Sequence, residues 1–377
     1  MKKAPLWVWS LFLGILLAAV LALLPGHTVM ASPWTFGLLY LLGGVALINA
    51  ASESLVHASE ILSSRRNWNH FVGGTVGEII STLPEIVVII FVVPIDPVAA
   101  FLIAVITIYN NAVIFSIYSF FLPKAAGDGL YALPSPIFKI GREILIVGSA
   151  VALIFGFFLV ASRLNVPPKQ SLAGYEIIVI GVTMLFIFAL YLHSLIAHYS
   201  VNEVHEALRP EERGHEPPSR MLLLFALGTG AAFFGGHMVS TFAEKMLHQI
   251  HLSPVRAALV LAFFAGIAEI FILVDSHRKG DYEIALSNAF GGITQVKFLV
   301  FPFTLLIIGL MQWLGDVPQG FVGIPIDNTV TLIMMMLFPV FFVLFELMQD
   351  GHTLSNFDAA AMFGLFVLIL YFLAVYG

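Results

Sequence analysis

Apolar residues run along this chain in blocks long enough to cross a hydrocarbon layer, which takes roughly 20 residues of helix. Such blocks fall near 7–25, 34–62, 71–93, 98–122, 143–161, 174–198, 221–247, 254–275, 284–311, 329–348 and 359–376. Short polar or Pro/Gly-rich turns join them. The pattern predicts an all-α polytopic membrane protein with about eleven transmembrane helices. The first block follows Met1-Lys2-Lys3 and precedes Val29-Met30-Ala31, which has the look of a signal-peptidase site. Its apolar stretch is long for a cleaved signal, so the reading here is a retained helix.

The longest hydrophilic connection runs from Tyr199 to Arg220 and holds five glutamates, two histidines and Pro210, Pro217 and Pro218. It reads as a solvated linker rather than a metal-binding loop, because His205-Glu206 lacks the second histidine of a zinc-protease helix. The linker divides the chain into a leading helix, 1–33, a first five-helix unit, 34–198, the polar loop, 199–220, and a second five-helix unit, 221–377. Basic residues orient the bundle. With the N-terminus in the cytoplasm, Lys2, Lys3, Arg65, Arg66, Lys124, Lys139, Arg142, Arg209, Arg213, Arg220, Arg278 and Lys279 share the inner side. Arg163, Lys169, Lys245 and Arg256 fall on or near the outer one, and Lys297 lies within a span. This asymmetry places the C-terminus outside, in a cell (inner) membrane.

Composition agrees with a chain whose main solvent is lipid. Hydrophobic residues make up 59% and charged residues 11%, too few charges for a soluble surface of this size. Cysteine is absent, which excludes disulfides, thiolate catalysis and thiolate-bound zinc.

The most informative signal is a duplication. Ser81-Thr82-Leu83-Pro84-Glu85 sits in the third block and Asn110-Asn111 in the fourth. Gly266-Ile267-Ala268-Glu269 sits in the eighth and Thr294-Gln295 in the ninth. Glu85 to Asn111 and Glu269 to Gln295 are both 26 residues, so a shift of 184 superposes carboxylate on carboxylate and amide on amide. The preceding blocks echo each other too. Glu53 and His57 follow Gly43-Gly44, and Glu244 and His248 follow Gly235-Gly236. Five crossings apart, with four helices between them, the third and eighth blocks cross the membrane in opposite senses. Inverted repeats of this kind are a transporter architecture, with the substrate site at mid-membrane between them. The repeat motifs span 71–122 and 254–311.

A buried carboxylate in a bilayer is costly unless paired or protonated, and two facing each other suit a cation bound between them. Hard cations take six to eight oxygens. The repeats supply Glu85 and Glu269, the amides of Asn110, Asn111 and Gln295, and the hydroxyls of Ser81, Thr82 and Thr294. Pro84 cannot donate a backbone hydrogen bond, so it releases the Ile80 carbonyl within the span. When the cation leaves, protonation removes the cost of the empty carboxylates. One pair of residues then carries either a cation or protons, which is the physical basis of exchange. Each polar residue also has a structural reading, as interhelical glue for Ser and Thr. For Glu53, His57, Glu244 and His248, near helix ends, that reading competes with a proton relay.

Gly74-Thr75 through Glu85 resembles the first α-repeat of the calcium:cation antiporter superfamily. ALSNAFGGITQVKFLVFP, from Ala285 to Pro302, is similar to the second α-repeat of its cation/proton exchanger branch. The layout of one leading helix plus five and five is similar as well. The resemblance implies a secondary transporter exchanging Ca2+ or a related cation for H+, with Glu85 and Glu269 binding cation and protons in competition. It implies no enzymatic activity and no cofactor. Partners are then cations and protons as substrates and the lipid bilayer, without nucleic acid and with room for a homo-oligomer. The branch's Gly-Asn before the second glutamate reads Ala265-Gly266 here. Glu78 is an extra carboxylate on the stripe of Ser81, Thr82 and Glu85, two helical turns back, and joins the proton- and cation-coupling set. Lys297, two residues past Gln295, is the expected ion-pair partner of Glu78. A sodium/calcium or monovalent cation/proton exchanger is the alternative within the class. An intramembrane enzyme is more remote, because the chain has no HExxH and no paired intramembrane aspartates of a GxGD pattern.

Overall fold

The computed structural model of the protein describes residues 5–23, 33–66, 70–125, 129–134, 137–199, 217–349 and 352–376. Most of the polar linker and the Val29-Met30-Ala31 segment lie outside the described residues. Among those described, eleven helices are long and apolar enough to cross a membrane, and each coincides with one of the expected blocks. The first two are α1 (Leu6–Leu23) and α2 (Pro33–Arg66). The third span is broken into α3 (His70–Ser81) and α4 (Leu83–Val92), and α5 (Pro97–Phe121) follows. Next come α6 (Arg142–Leu164), α7 (Gly174–Tyr199) and α8 (Pro218–Glu244). The eighth span is again broken, into α9 (Pro254–Ala265) and α10 (Ile267–Lys279). The ninth joins α11 (Tyr282–Gln295) to α12 (Phe301–Leu314) through a π-helical turn at Val296–Val300. The last two are α13 (Asn328–Gln349) and α14 (Asn356–Tyr376).

Local chemistry sets several ends. Asp96 caps α5, accepting from the N–H groups of Val98 and Ala99 at 2.9 and 3.0 Å, with Pro97 as the first helical residue. An N-cap acceptor and a proline that needs no donor are the favoured start of a helix. Gly280 and Gly315 close α10 and α12 at φ 82° and 81°, a left-handed conformation that glycine adopts without penalty.

Packing places α5 at the centre, with Phe101, Tyr109 and Phe115 fully buried. The Tyr109 hydroxyl donates to the Ile333 carbonyl of α13. By contrast α1, α7 and α14 turn Trp9, Phe12, Phe186 and Tyr371 outward, as helices facing lipid do. Helices α2 and α8 cross at glycines. A Cβ on Gly44 would stand 3.0 Å from the Gly235 carbonyl, and one on Gly235 would stand 3.0 Å from the Gly44 carbonyl. The two backbones touch there because neither carries a side chain.

Among the described residues, four two-residue strands add a symmetric clip. They are β1 (Tyr131–Ala132), β2 (Ser171–Leu172), β3 (Ile324–Pro325) and β4 (Thr353–Leu354). Here β1 pairs with β4 and β2 with β3, both antiparallel. The strand before α6 thus meets the strand after α13, and the strand after α6 meets the one before α13. These two helices pack on each other, so they run in opposite directions although each is the fourth span of its unit.

Candidate functional site

The two interrupted spans break at equivalent positions. Thr82 separates α3 from α4 with φ −78° and ψ −8°, and Gly266 separates α9 from α10 with φ −78° and ψ 0°. The flanking hydrogen bonds match as well. Thr82 N–H donates to the Glu78 carbonyl at 3.1 Å and Ile86 N–H to the Thr82 carbonyl at 3.2 Å. In the second half Gly266 N–H donates to the Ala262 carbonyl at 3.2 Å and Ile270 N–H to the Gly266 carbonyl at 3.4 Å. Pro84 accounts for the first break, as the sequence predicts. The second break has no proline and turns at a glycine, which sequence reasoning did not anticipate. Both breaks do the same thing: each puts its glutamate, Glu85 or Glu269, in the first turn of a new helix. Unpaired N–H groups and the helix dipole there favour a negative charge.

Glu85 is buried at 6% exposure, and its carboxylate interacts electrostatically with that of Glu269. Asn111 from α5 comes to the same place. A Cβ added to Gly292 of α11 would stand 2.8 Å from both Asn111 Nδ2 and Glu269 Oε2. Amide and carboxylate therefore lie side by side over the bare backbone of α11. The Asn288 side chain donates to the Glu269 backbone carbonyl at 3.4 Å. One helical position earlier, Gly291 receives the Glu78 carboxylate. Glu78 also accepts from Gln295 Nε2 at 2.7 Å and interacts electrostatically with Glu269. The Gly291-Gly292 pair and Asn288 are site residues that sequence reasoning missed. The available signal was the adjacent glycines themselves, since glycine inside a helix is unfavourable unless something must approach closely.

Several polar atoms of the expected ligand residues are buried with no hydrogen-bond partner among the described residues: Glu85 Oε2, both side-chain atoms of Asn111, Asn110 Nδ2 and Gln295 Oε1. Three of these are acceptor oxygens. The hydroxyls behave differently. Ser81 donates to the Glu78 carbonyl and Thr82 to the Ile79 carbonyl, each at 2.8 Å, and Thr294 to the Gly291 carbonyl at 3.2 Å. Their protons are used within their own helices, and their lone pairs remain for an outside cation. Among the described residues no three acidic or histidine side chains converge on a metal-sized point. A cation here would rest on two carboxylates and neutral oxygens.

The expected Glu78–Lys297 ion pair does not form. Lys297 is fully buried, but its Nζ has no hydrogen-bond partner and lies 5.3 Å from the Phe341 ring and 5.9 Å from that of Phe301. Residues two apart on a helix point to nearly opposite sides, so Lys297 faces the rings of Phe301 and Phe341 while Gln295 faces Glu78. The relay candidates scatter as well. His57 pairs with Glu60 at 2.9 Å, Glu53 accepts from Asn49 at a long 3.5 Å, and Glu244 and His248 are exposed.

Residues 220–375 match the model of the sodium/calcium exchanger protein family. The second half of the chain is thus similar to that exchanger family. Solved structures agree on the fold. It is similar to the H+/Ca2+ exchanger CAX at a TM-score of 0.71 and 11% identity, over 97% of this chain and 87% of that one. It is similar to YfkE at a TM-score of 0.64 and 15% identity, over 98% and 99%. The sodium-calcium exchanger NCX_Mj matches at a TM-score of 0.56 and 17% identity, over 89% and 98%. Among curated proteins none matches the chain in sequence. Eleven helices long and apolar enough to cross a membrane mark the chain as an integral membrane protein, and two of these structural neighbours are exchangers by description.

Proposed function

We propose that the protein exchanges Ca2+, or a related divalent cation, for H+ across the cell membrane, with the N-terminus cytoplasmic and the C-terminus outside. Glu85 and Glu269 bind the cation between the two repeats, 34–198 and 221–377, and carry protons when it leaves. The observation that carries this reading is the matched pair of helix breaks. They hold two interacting carboxylates in first turns, beside buried acceptor oxygens without partners. The opposed directions of α6 and α13 support inverted repeats. Two carboxylates neutralise one divalent cation or two protons, and low-dielectric surroundings make the doubly charged empty state expensive. The site therefore crosses the membrane loaded with one or the other. Asn111 and Gln295 supply the neutral oxygens, with Ser81, Thr82, Asn110 and Thr294 around them.

The test is cation uptake into vesicles under an imposed pH gradient. Glu85→Gln and Glu269→Gln each keep side-chain shape and remove the charge, so each abolishes uptake while the protein still inserts. Near-normal proton-driven exchange of every cation tried, in both variants, would overturn the mechanism. A sodium/calcium exchanger is a second reading, favoured by the family description matched over 220–375. Uptake driven by an imposed Na+ gradient at constant pH decides between them.

A further inference from the structure

Away from the paired carboxylates, charged side chains of α2 and α10 meet at the end of the bundle that the basic residues assign to the cytoplasm. Glu53, His57 and Glu60 follow one another along α2 at spacings of four and three, so they share one face of the helix. Asp275 and Lys279, four residues apart on α10, bond to each other at 2.6 Å. The two helices pack together, and α10 is the helix that holds Glu269 in its first turn.

Among the described residues, charges act across these two helices in three ways. Glu60 attracts Lys279, Glu53 repels Asp275, and His57, once protonated, repels Lys279. Within α2, His57 Nδ1 lies 2.9 Å from Glu60 Oε2. Glu60 therefore has two claimants, a lysine on the neighbouring helix and a histidine on its own. The charged groups facing His57 are Glu53 and Glu60 on α2 and Lys279 on α10, and Asp281 adds to the field at Lys279. A neutral imidazole leaves the Glu60 charge to Lys279. An imidazolium takes that charge for itself and sets a second cation against the lysine. Both effects loosen the hold of α2 on α10. Partial neutralisation of Glu53 against Asp275 works the other way and is smaller, because Glu60 is the stronger partner of His57 and Asp275 a weak neighbour of Glu53.

We propose that Glu60 is a pH-dependent latch: while His57 is neutral it pins the end of α10 to α2 through Lys279, and protonation of His57 withdraws it and frees that end. The same helix presents Glu269 at its other end. The consequence for transport rests on the exchange reading: an acidic cytoplasm loosens the seat of one of the two coupling carboxylates. Histidine is the side chain whose charge ordinarily changes between about pH 5 and 8. The side chains of Glu60, Lys279 and Asp275 are 64%, 59% and 65% exposed. Exposed pairs are weak, so the latched population shifts by about twofold to fivefold.

Spin-label distances in the full-length protein in detergent test this, and the chain has no native cysteine to interfere. Ser64→Cys on α2 and Ser276→Cys on α10 carry the labels. The background is Glu85→Gln/Glu269→Gln, whose paired carboxylates no longer titrate. Lowering the pH from about 8 to about 5.5, across the histidine range, enlarges the long-distance population about twofold to fivefold. His57→Gln holds the short distance at every pH, and Lys279→Met holds the long one. Should the double glutamate variant fail to fold, the labelled protein with both glutamates serves as background, because loss of the step in His57→Gln is the reading. A distance that ignores pH overturns the proposal, and so does a step that persists in His57→Gln, as one carried by His277 on the same helix end would. No transport is measured, so failure of the exchange mechanism would leave this result standing and the reverse holds too.

Discussion

Gly292→Ala is the sharpest probe of how the site is assembled. The added methyl would stand 2.8 Å from both Asn111 Nδ2 and Glu269 Oε2, and 3.3 Å from the Glu269 carboxyl carbon. Comfortable contact needs roughly half an ångström more, so amide and carboxylate must both retreat. Overpacking of this size costs about 1–3 kcal/mol. Helix propensity returns about 1 kcal/mol, because alanine is the better helix former, so global stability changes little. The strain falls on the ligand geometry, which tolerates only about 0.5 Å of error. At 1.4 kcal/mol per factor of ten, the KM for cation rises roughly tenfold or more. The assay is initial-rate uptake in vesicles under a fixed pH gradient, over a range of cation concentrations. Gly230→Ala and Gly364→Ala are the controls, since nothing lies within 4 Å of a Cβ at either, and they leave KM unchanged. A folded Gly292→Ala protein whose KM stays within twofold of the parent would refute the reasoning.

Other outcomes follow from neighbouring contacts. Lys297→Met replaces a buried amine that has no hydrogen-bond partner with an apolar chain of similar length, and raises stability by on the order of 1 kcal/mol. Combined with Glu78→Gln its effect is additive within about 0.5 kcal/mol, as thermal unfolding will show; strong coupling would restore the ion pair. Tyr109→Phe removes the bond from α5 to the Ile333 carbonyl and lowers stability by about 1 kcal/mol, read in the same experiment. It leaves the KM for cation unchanged, because Tyr109 points away to α13.

What the sequence determined by itself is what repetition and hydropathy encode. Eleven spans follow from runs of apolar residues, because each backbone in lipid must satisfy its own hydrogen bonds and a helix of that length is the direct solution. The carboxylates at Glu85 and Glu269 and the amides near them were legible from matched spacing, since equal separation along equivalent helices lands side chains at equivalent depths. The break at Pro84 could be read because proline lacks a donor. Tertiary structure decided the rest. Gly266 reproduces the proline break without any residue that forces one, since its conformation, matching that of Thr82, is selected by packing. The seating of Glu78 on Gly291 and of Glu269 on Gly292 depends on which helix faces α11, and no local pattern states that. The lysine divides the two cases. Residues two apart on a helix point about 200° from each other, so with Gln295 turned to Glu78 the periodicity alone sends Lys297 to the opposite side. That this side holds the rings of Phe301 and Phe341 depends on which helices pack there, so only the folded molecule shows it.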